Sequence, residues 1–129
     1  MTITTFINLP VRDLATSAEF FRSIGFTGAQ PSPDRTSIML SLNETTQLIL
    51  HIDSAFAEYT EVGITDTETS REVIVGLAAE SHEQVDELVD RAAAAGGNVL
   101  GPGQETGQLY MRGFRDLDGH QWSFVHVAG

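Results

Sequence analysis

The feature that most constrains this chain is an order of elements that occurs twice. In the first half, the β-rich run ITTFINLP over residues 3–10 precedes Asp13, which is placed to cap a helix whose apolar residues Leu14, Ala18, Phe21 and Ile24 recur at helical spacing. Gly25 ends that helix, and residues 26–30, 36–42 and 46–52 read as strands, with turns at 31–35 and 43–45. In the second half, a strand over residues 72–79 runs into Ser81, with Gln84 three positions on as the partner of a capping box. The helix that follows carries Val85, Leu88, Val89 and Ala92 on one stripe and stops at Gly96-Gly97. Strands over 98–100, 108–115 and 121–127 complete the half, with a Gly-Pro-Gly loop after the first and the turn Asp116-Leu117-Asp118-Gly119 between the last two. Each half therefore reads β-α-β-β-β. The caps Asp13 and Ser81 are 68 positions apart, and the same offset pairs Phe6 with Ile74 and Asn8 with Gly76. Between the halves lies an acidic, Thr-rich stretch over 53–70, read as a loop.

Composition removes several functional classes. At 129 residues and 41% hydrophobic, the chain fits one domain that buries roughly two thirds of its unfolded surface without staples. It has no Cys, so disulfides, thiolate nucleophiles and thiolate zinc sites are excluded. All seven basic residues are Arg, which excludes Schiff-base lysine chemistry and a phosphate-loop lysine. A formal charge of −11 repels phosphate backbones and anionic lipid heads, so neither nucleic acid nor a membrane is an expected partner. The amino terminus lacks a basic region followed by an apolar run, and no stretch is long enough to span a bilayer; the expectation is a soluble, cytoplasmic protein.

The segment Ile7-Asn8-Leu9-Pro10-Val11-Arg12-Asp13-Leu14, followed by Ser17, Glu19-Phe20-Phe21 and Ile24-Gly25-Phe26, resembles the opening of the vicinal oxygen chelate superfamily. That group includes glyoxalases, bleomycin-resistance proteins and extradiol dioxygenases. The closing segment, residues 114–122, is similar to its F-x-D-P-D-G-H-x-W turn, with Leu117 where Pro is usual. The resemblance implies an α+β fold: one domain over residues 1–129, with two βαβββ modules at about 1–60 and 70–129. These would form a curved, mostly antiparallel sheet around a cleft, helices outside, in a homodimer. It also implies four positions at which metal-dependent members hold a divalent ion, and these fall on Phe6, Ile49, Ile74 and Ser123. Three apolar side chains and one hydroxyl cannot ligate an ion in that manner, so no metal or other cofactor is expected there.

The same four positions, with neighbours of the same strand parity, form the candidate ligand site. His51 lies two residues beyond Ile49, and its imidazole is the one catalytic candidate: a base or a hydrogen-bonding group, or else a strand-end histidine bonded to backbone. Asn8 shares a face with Phe6 and either orients a ligand or bonds across the junction of the halves. Tyr110 and Arg112 share a face; turned to the cleft they suit an anionic ligand, turned to solvent they are surface. Arg115, beside Asp116 and Asp118, reads as a turn-stabilising ion pair; Trp122, Phe124 and His126 read as packed on a helix, and Phe56, Tyr59 and Ile64 as a cover for the cleft mouth.

Three functions are compatible with this. The first is metal-independent binding of a small molecule in an apolar cleft. The second is a glyoxalase- or dioxygenase-like enzyme with a displaced divalent metal held by His51 and an acid such as Glu44, Asp53 or Glu105, or a metal-free catalyst using His51. The third is an interaction module without a ligand. The first is the reading preferred, because apolar side chains stand where ligands to a metal would be.

Overall fold

The computed structural model describes residues 2–128. It is α+β, with three helices and two mixed sheets, and it divides into two compact units between Thr65 and Asp66.

In the first unit, β1 (Thr5–Val11) leads into α1 (Leu14–Ser23), and β2 (Thr27–Pro31), β3 (Ser37–Asn43), β4 (Thr46–Ile52) and α2 (Asp53–Thr60) follow. The sheet runs β1-β4-β3-β2, with β1 parallel to β4 and the other pairs antiparallel. Asp13 caps α1 as expected: its carboxylate accepts from the Thr16 N–H at 2.8 Å, which holds its carboxyl below the ordinary value. The buried face of α1 presents Ala18, Phe20 and Phe21, and with Ile24 and Phe26 they pack on Leu9, Val11, Leu40, Leu48 and Leu50. Phe21 sits edge-on to Phe20 at 5.2 Å and to Phe26 at 5.6 Å. Each of the larger side chains, Phe, Leu, Ile or Val, contributes about 1.5–3 kcal/mol through the surface it removes from water.

In the second unit, β5 (Ile74–Ala78) leads into α3 (His82–Ala94), then β6 (Asn98–Val99), β7 (Gln104–Thr106), β8 (Leu109–Arg115) and β9 (Gln121–Val127). The path β5-β9-β8-β6 repeats the first unit's order, again with the outer strand parallel to the last, and β7 pairs with β8. Val85, Val89 and Ala92 of α3 are buried, as are Phe114, Trp122 and Phe124 of the sheet, so Trp122 and Phe124 stand where the alternation puts them. The Ser81 hydroxyl accepts from the Gln84 N–H at 3.0 Å, but the reciprocal arm lands one residue early, on the Glu80 N–H at 2.6 Å.

Two elements depart from expectation. Residues 53–60 are helix rather than loop. This helix has no side-chain cap and no fully buried residue, so it carries neither of the signals that marked α1 and α3; Asp53 in its first turn favours it through the helix dipole. β7 forms where a loop was expected, closing a hairpin onto β8 through Gly107, whose φ of +62° suits glycine.

The turn joining β8 to β9 is built around a buried acid. Asp116, 6% exposed, accepts from the N–H groups of Asp118 at 2.9 Å and His120 at 3.0 Å on one oxygen and from Trp122 Nε1 at 3.0 Å on the other. Burial pushes its carboxyl up, against the pull of His120 and these three donors. Gly119 closes the turn at φ +84°, and a side chain there would also run into Thr67, whose hydroxyl donates to the Asp118 carbonyl at 2.6 Å. Because Asp116→Ala strands three N–H donors, we expect it to lower unfolding free energy by about 3 kcal/mol or more in urea titration, with Asp116→Asn recovering part of that; a loss under 1 kcal/mol for the alanine variant would contradict this account.

Candidate functional site

Each sheet has a face packed on its helix and a face turned away from it, and the second of these carries the candidate residues. In the first unit, the register sets Asn8 beside Ile49 and Pro10 beside His51, while Phe6 pairs with Gln47 and Met39 with Ile49. All lie opposite in parity to the buried Leu48 and Leu50. Phe6 is 53% exposed and Met39 39%, so this face displays large apolar groups.

At one end of that face, α2 covers His51. The imidazole is 7% exposed and lies 6.0 Å from the Phe56 ring and 5.5 Å from the Tyr59 ring, both edge-on. His51 Nε2 is 2.9 Å from Asn8 Oδ1, an oxygen that can only accept, so Nε2 carries the proton and Nδ1 remains an acceptor. Desolvation lowers the His51 pKa, and the ring is neutral at pH 7. The structure therefore brings together two candidates, Asn8 and His51, and supplies their cover from Phe56 and Tyr59.

In the second unit, β8 and β9 pair Tyr110 with His126, Arg112 with Phe124 and Phe114 with Trp122. Tyr110 and Arg112 thus share the α3 face with the tryptophan and are not available to the face that holds Ile74 and Ser123. The Tyr110 hydroxyl and Arg112 Nη1 are already engaged, while the buried Arg112 Nε has no hydrogen-bond partner. Tyr110 donates its hydroxyl to Asp86 Oδ1 at 2.6 Å, and Arg112 Nη1 reaches Asp86 Oδ1 at 3.2 Å and Asp90 Oδ1 at 3.3 Å. The Tyr110 hydrogen bond, then Arg112, hold the Asp86 carboxyl below its ordinary value, and the same bond raises the Tyr110 phenol. His82 stacks on Tyr110 at 3.5 Å and its Nε2 meets Glu105 Oε1 at 3.0 Å; Gly103 leaves the room that the phenol occupies. His126 Nδ1 lies 3.2 Å from the Ala79 carbonyl.

The opposite face of this sheet is laid out in three cross-strand rows over β5, β9 and β8: Ile74, Gln121 and Arg115; Gly76, Ser123 and Gly113; Ala78, Val125 and Met111. Arg115 belongs here, and the ion pair with Asp116 and Asp118 anticipated for it does not form: the Asp116 carboxylate is filled by N–H donors, and Arg115 enters no ion pair among the described residues. Sequence reasoning gives Arg115 only a turn-stabilising role and passes over Gln121 and Gly113. The signal was present, since counting back through the turn from Trp122 assigns Arg115, not Arg112, to the face of Ser123.

Phe6, Ile49, Ile74 and Ser123 all project from these helix-remote faces, and none but the serine offers a donor atom. The donor set does not fit a divalent ion. The displaced alternative gains nothing either: Glu105 is engaged by His82, and among the described residues no group of three His, Asp or Glu is placed to share an ion.

A family model described as the Glyoxalase/Bleomycin resistance protein/Dioxygenase superfamily matches residues 4–124. Among solved structures, the hypothetical protein SA1046 from S. aureus is similar over 98% of this chain and 95% of its own, at 28% identity and a TM-score of 0.84. A glyoxalase/bleomycin resistance protein/dioxygenase family enzyme from Burkholderia phytofirmans PsJN is 19% identical, with a TM-score of 0.81 over 98% and 99% of the two chains. TnmS3, an antibiotic binding protein from Streptomyces sp. CB03234, is 20% identical with a TM-score of 0.65 over 99% and 98%. No curated protein matches the chain. No helix among the described residues is long and apolar enough to cross a membrane.

Burial of the His51 ring has a pH consequence. Its folded pKa lies below the ordinary value of about 6.5, so the unfolded chain takes up the proton first as pH falls, and stability drops from about pH 6.5 downward to the folded pKa. In NMR titration the His51 ring protons should turn over below pH 6.5, and His51→Gln should flatten this part of the stability profile; a midpoint above 6.5 would overturn the assignment.

Proposed function

The chain belongs to the glyoxalase/bleomycin resistance protein/dioxygenase superfamily, and on that premise we propose that it is a metal-independent small-molecule-binding protein, active in the cytoplasm, that holds its ligand on apolar sheet faces. The observation that carries this reading is the replacement at the four family metal positions: Phe6, Ile49 and Ile74 supply contact area and Ser123 a hydroxyl. Phe6 and Ile74 are each 53% exposed, an arrangement that costs solvation until something covers them. Asn8 and His51 add an amide and a neutral imidazole for orientation. Structural similarity to an antibiotic binding protein supports the same class of function. A homodimer belongs to this proposal, as does the absence of nucleic acid and membrane partners from a chain of charge −11.

In thermal-shift screening, apolar aromatic compounds should stabilise the protein equally before and after treatment with a chelator, and Ni²⁺, Zn²⁺, Fe²⁺ and Mn²⁺ should add nothing. Phe6→Ala should weaken the best ligand roughly tenfold, the effect of losing about 1.4 kcal/mol of apolar contact. Stoichiometric metal with stabilisation, or turnover of a vicinal-oxygen substrate that a chelator abolishes, would replace this reading with the enzymatic one. Light scattering on a sizing column should return twice the chain mass; a monomer at all concentrations would remove the homodimer.

A further inference from the structure

The face of the second unit turned away from α3 has a trough across its middle. In the row Gly76, Ser123 and Gly113, two of three positions have no side chain, and the third has the smallest that carries a hydroxyl. A row of small residues is a shape and not yet a site. What makes it one is a set of polar groups at its edge that the protein itself leaves without partners.

Ser123 is 4% exposed, and its hydroxyl makes no hydrogen bond among the described residues. Its direction is given by Gly76: a Cβ built there would lie 3.4 Å from Ser123 Oγ, so the hydroxyl points into the trough. Arg115, in the adjoining row, has a buried Nε without a hydrogen-bond partner and no ion pair among the described residues. Its cross-strand neighbour Gln121 is held by Arg71, whose Nε donates to Gln121 Oε1 at 3.1 Å while its Nη1 donates to the Thr67 carbonyl at 2.6 Å. That arrangement places a second guanidinium beside the row without an acid opposite it.

Arg22, Arg91 and Arg112 each reach a carboxylate, whereas Arg71 and Arg115, which flank Gln121, enter no ion pair among the described residues and lie next to the Ser123 row. A planar guanidinium with free N–H groups matches a carboxylate in two parallel bonds, and partial burial strengthens those bonds.

We propose that this trough binds a flat aromatic carboxylate: its ring lies over Gly76, against the Leu100 side chain that borders Gly113, its apolar edge meets Met111 and Val125, and its carboxylate is held by Arg115 with the Ser123 hydroxyl as a further donor. Gln121, braced by Arg71, positions the Arg115 end of the trough. The inference rests on the small-molecule-binding reading above and narrows it to an anionic ligand class.

The test compares 2-naphthoate with its neutral isostere 2-naphthamide by calorimetry and by chemical-shift mapping on the intact chain. Naphthoate should bind at least tenfold more tightly than naphthamide, with shifts centred on Gly76, Gly113 and Ser123. Arg115→Gln should remove that preference, Arg115→Lys should retain part of it, and Ser123→Ala should weaken naphthoate several-fold. Arg112→Gln, on the α3 face, should leave binding unchanged, and thermal melts of every variant identify any that fails to fold. Equal binding of the two compounds with no effect of Arg115→Gln would overturn the anionic assignment and leave the apolar binding reading standing. Absence of naphthoate binding while neutral aromatics still stabilise the protein would overturn it in the same way. Failure of every aromatic compound, charged or neutral, would remove both.

Discussion

The register of β8 against β9 decides most of what the second unit can do, and one carboxylate holds that register. Asp116 gathers the N–H groups of Asp118, His120 and Trp122, which fixes a turn in which Arg115 faces Gln121. Because side chains alternate, every pairing back to Leu109 and Val127 follows from that one. A slip of one residue would bring Trp122 and Phe124 out of the core and put Ser123 under the helix. The same carboxylate therefore secures the core, through Trp122, and the composition of the opposite face, through Ser123 and Arg115.

Much of this architecture is legible in the residues. The caps Asp13 and Ser81, the helical stripes behind them and the D-x-D-G-H turn are local signals with local causes, and the elements they mark appear where the spacing puts them. The elements that escaped, α2 and β7, lack such signals: α2 begins at an isoleucine without a capping side chain, and β7 has only three residues and is held by its hairpin partner. Face assignments were less secure, for a specific reason. Read within its own strand, Trp122 faces the helix, whereas Tyr110 could face either cleft or solvent; pairing across the turn puts Tyr110 on the Trp122 face. Strand alternation is readable in one segment, whereas the relation between two segments depends on a turn length that His120 extends by one bond to Asp116.

The chain's charges are also divided by face. Toward α3, Tyr110, Arg112, His82, Asp86, Asp90 and Glu105 are joined in a continuous set of bonds and a ring stack, a structural arrangement that ties β7 and β8 to the helix. Away from α3, Arg115 and Ser123 are left open. In the first unit the corresponding face mixes the apolar Phe6, Met39 and Ile49 with uncharged polar residues such as Gln47, Ser37 and Ser41, and its buried His51 is paired with Asn8 and kept neutral by desolvation. The superfamily fold is thus retained on two sheets whose helix-remote faces differ in character.

Gly76 and Gly113 differ in what they permit. A Cβ at Gly113 would press on the Trp122 carbonyl at 3.4 Å and on Leu100, so that position is bounded by its own sheet and strand neighbour. Gly76 has an ordinary backbone conformation, and the nearest atom a methyl group there would meet is Ser123 Oγ. The floor of the trough can therefore be raised at one end by a single nucleotide change, glycine to alanine, with little demand on the rest of the fold. A lineage carrying this sheet has an inexpensive route from one trough shape to another, and such a change can begin at a residue that contributes only backbone to the floor.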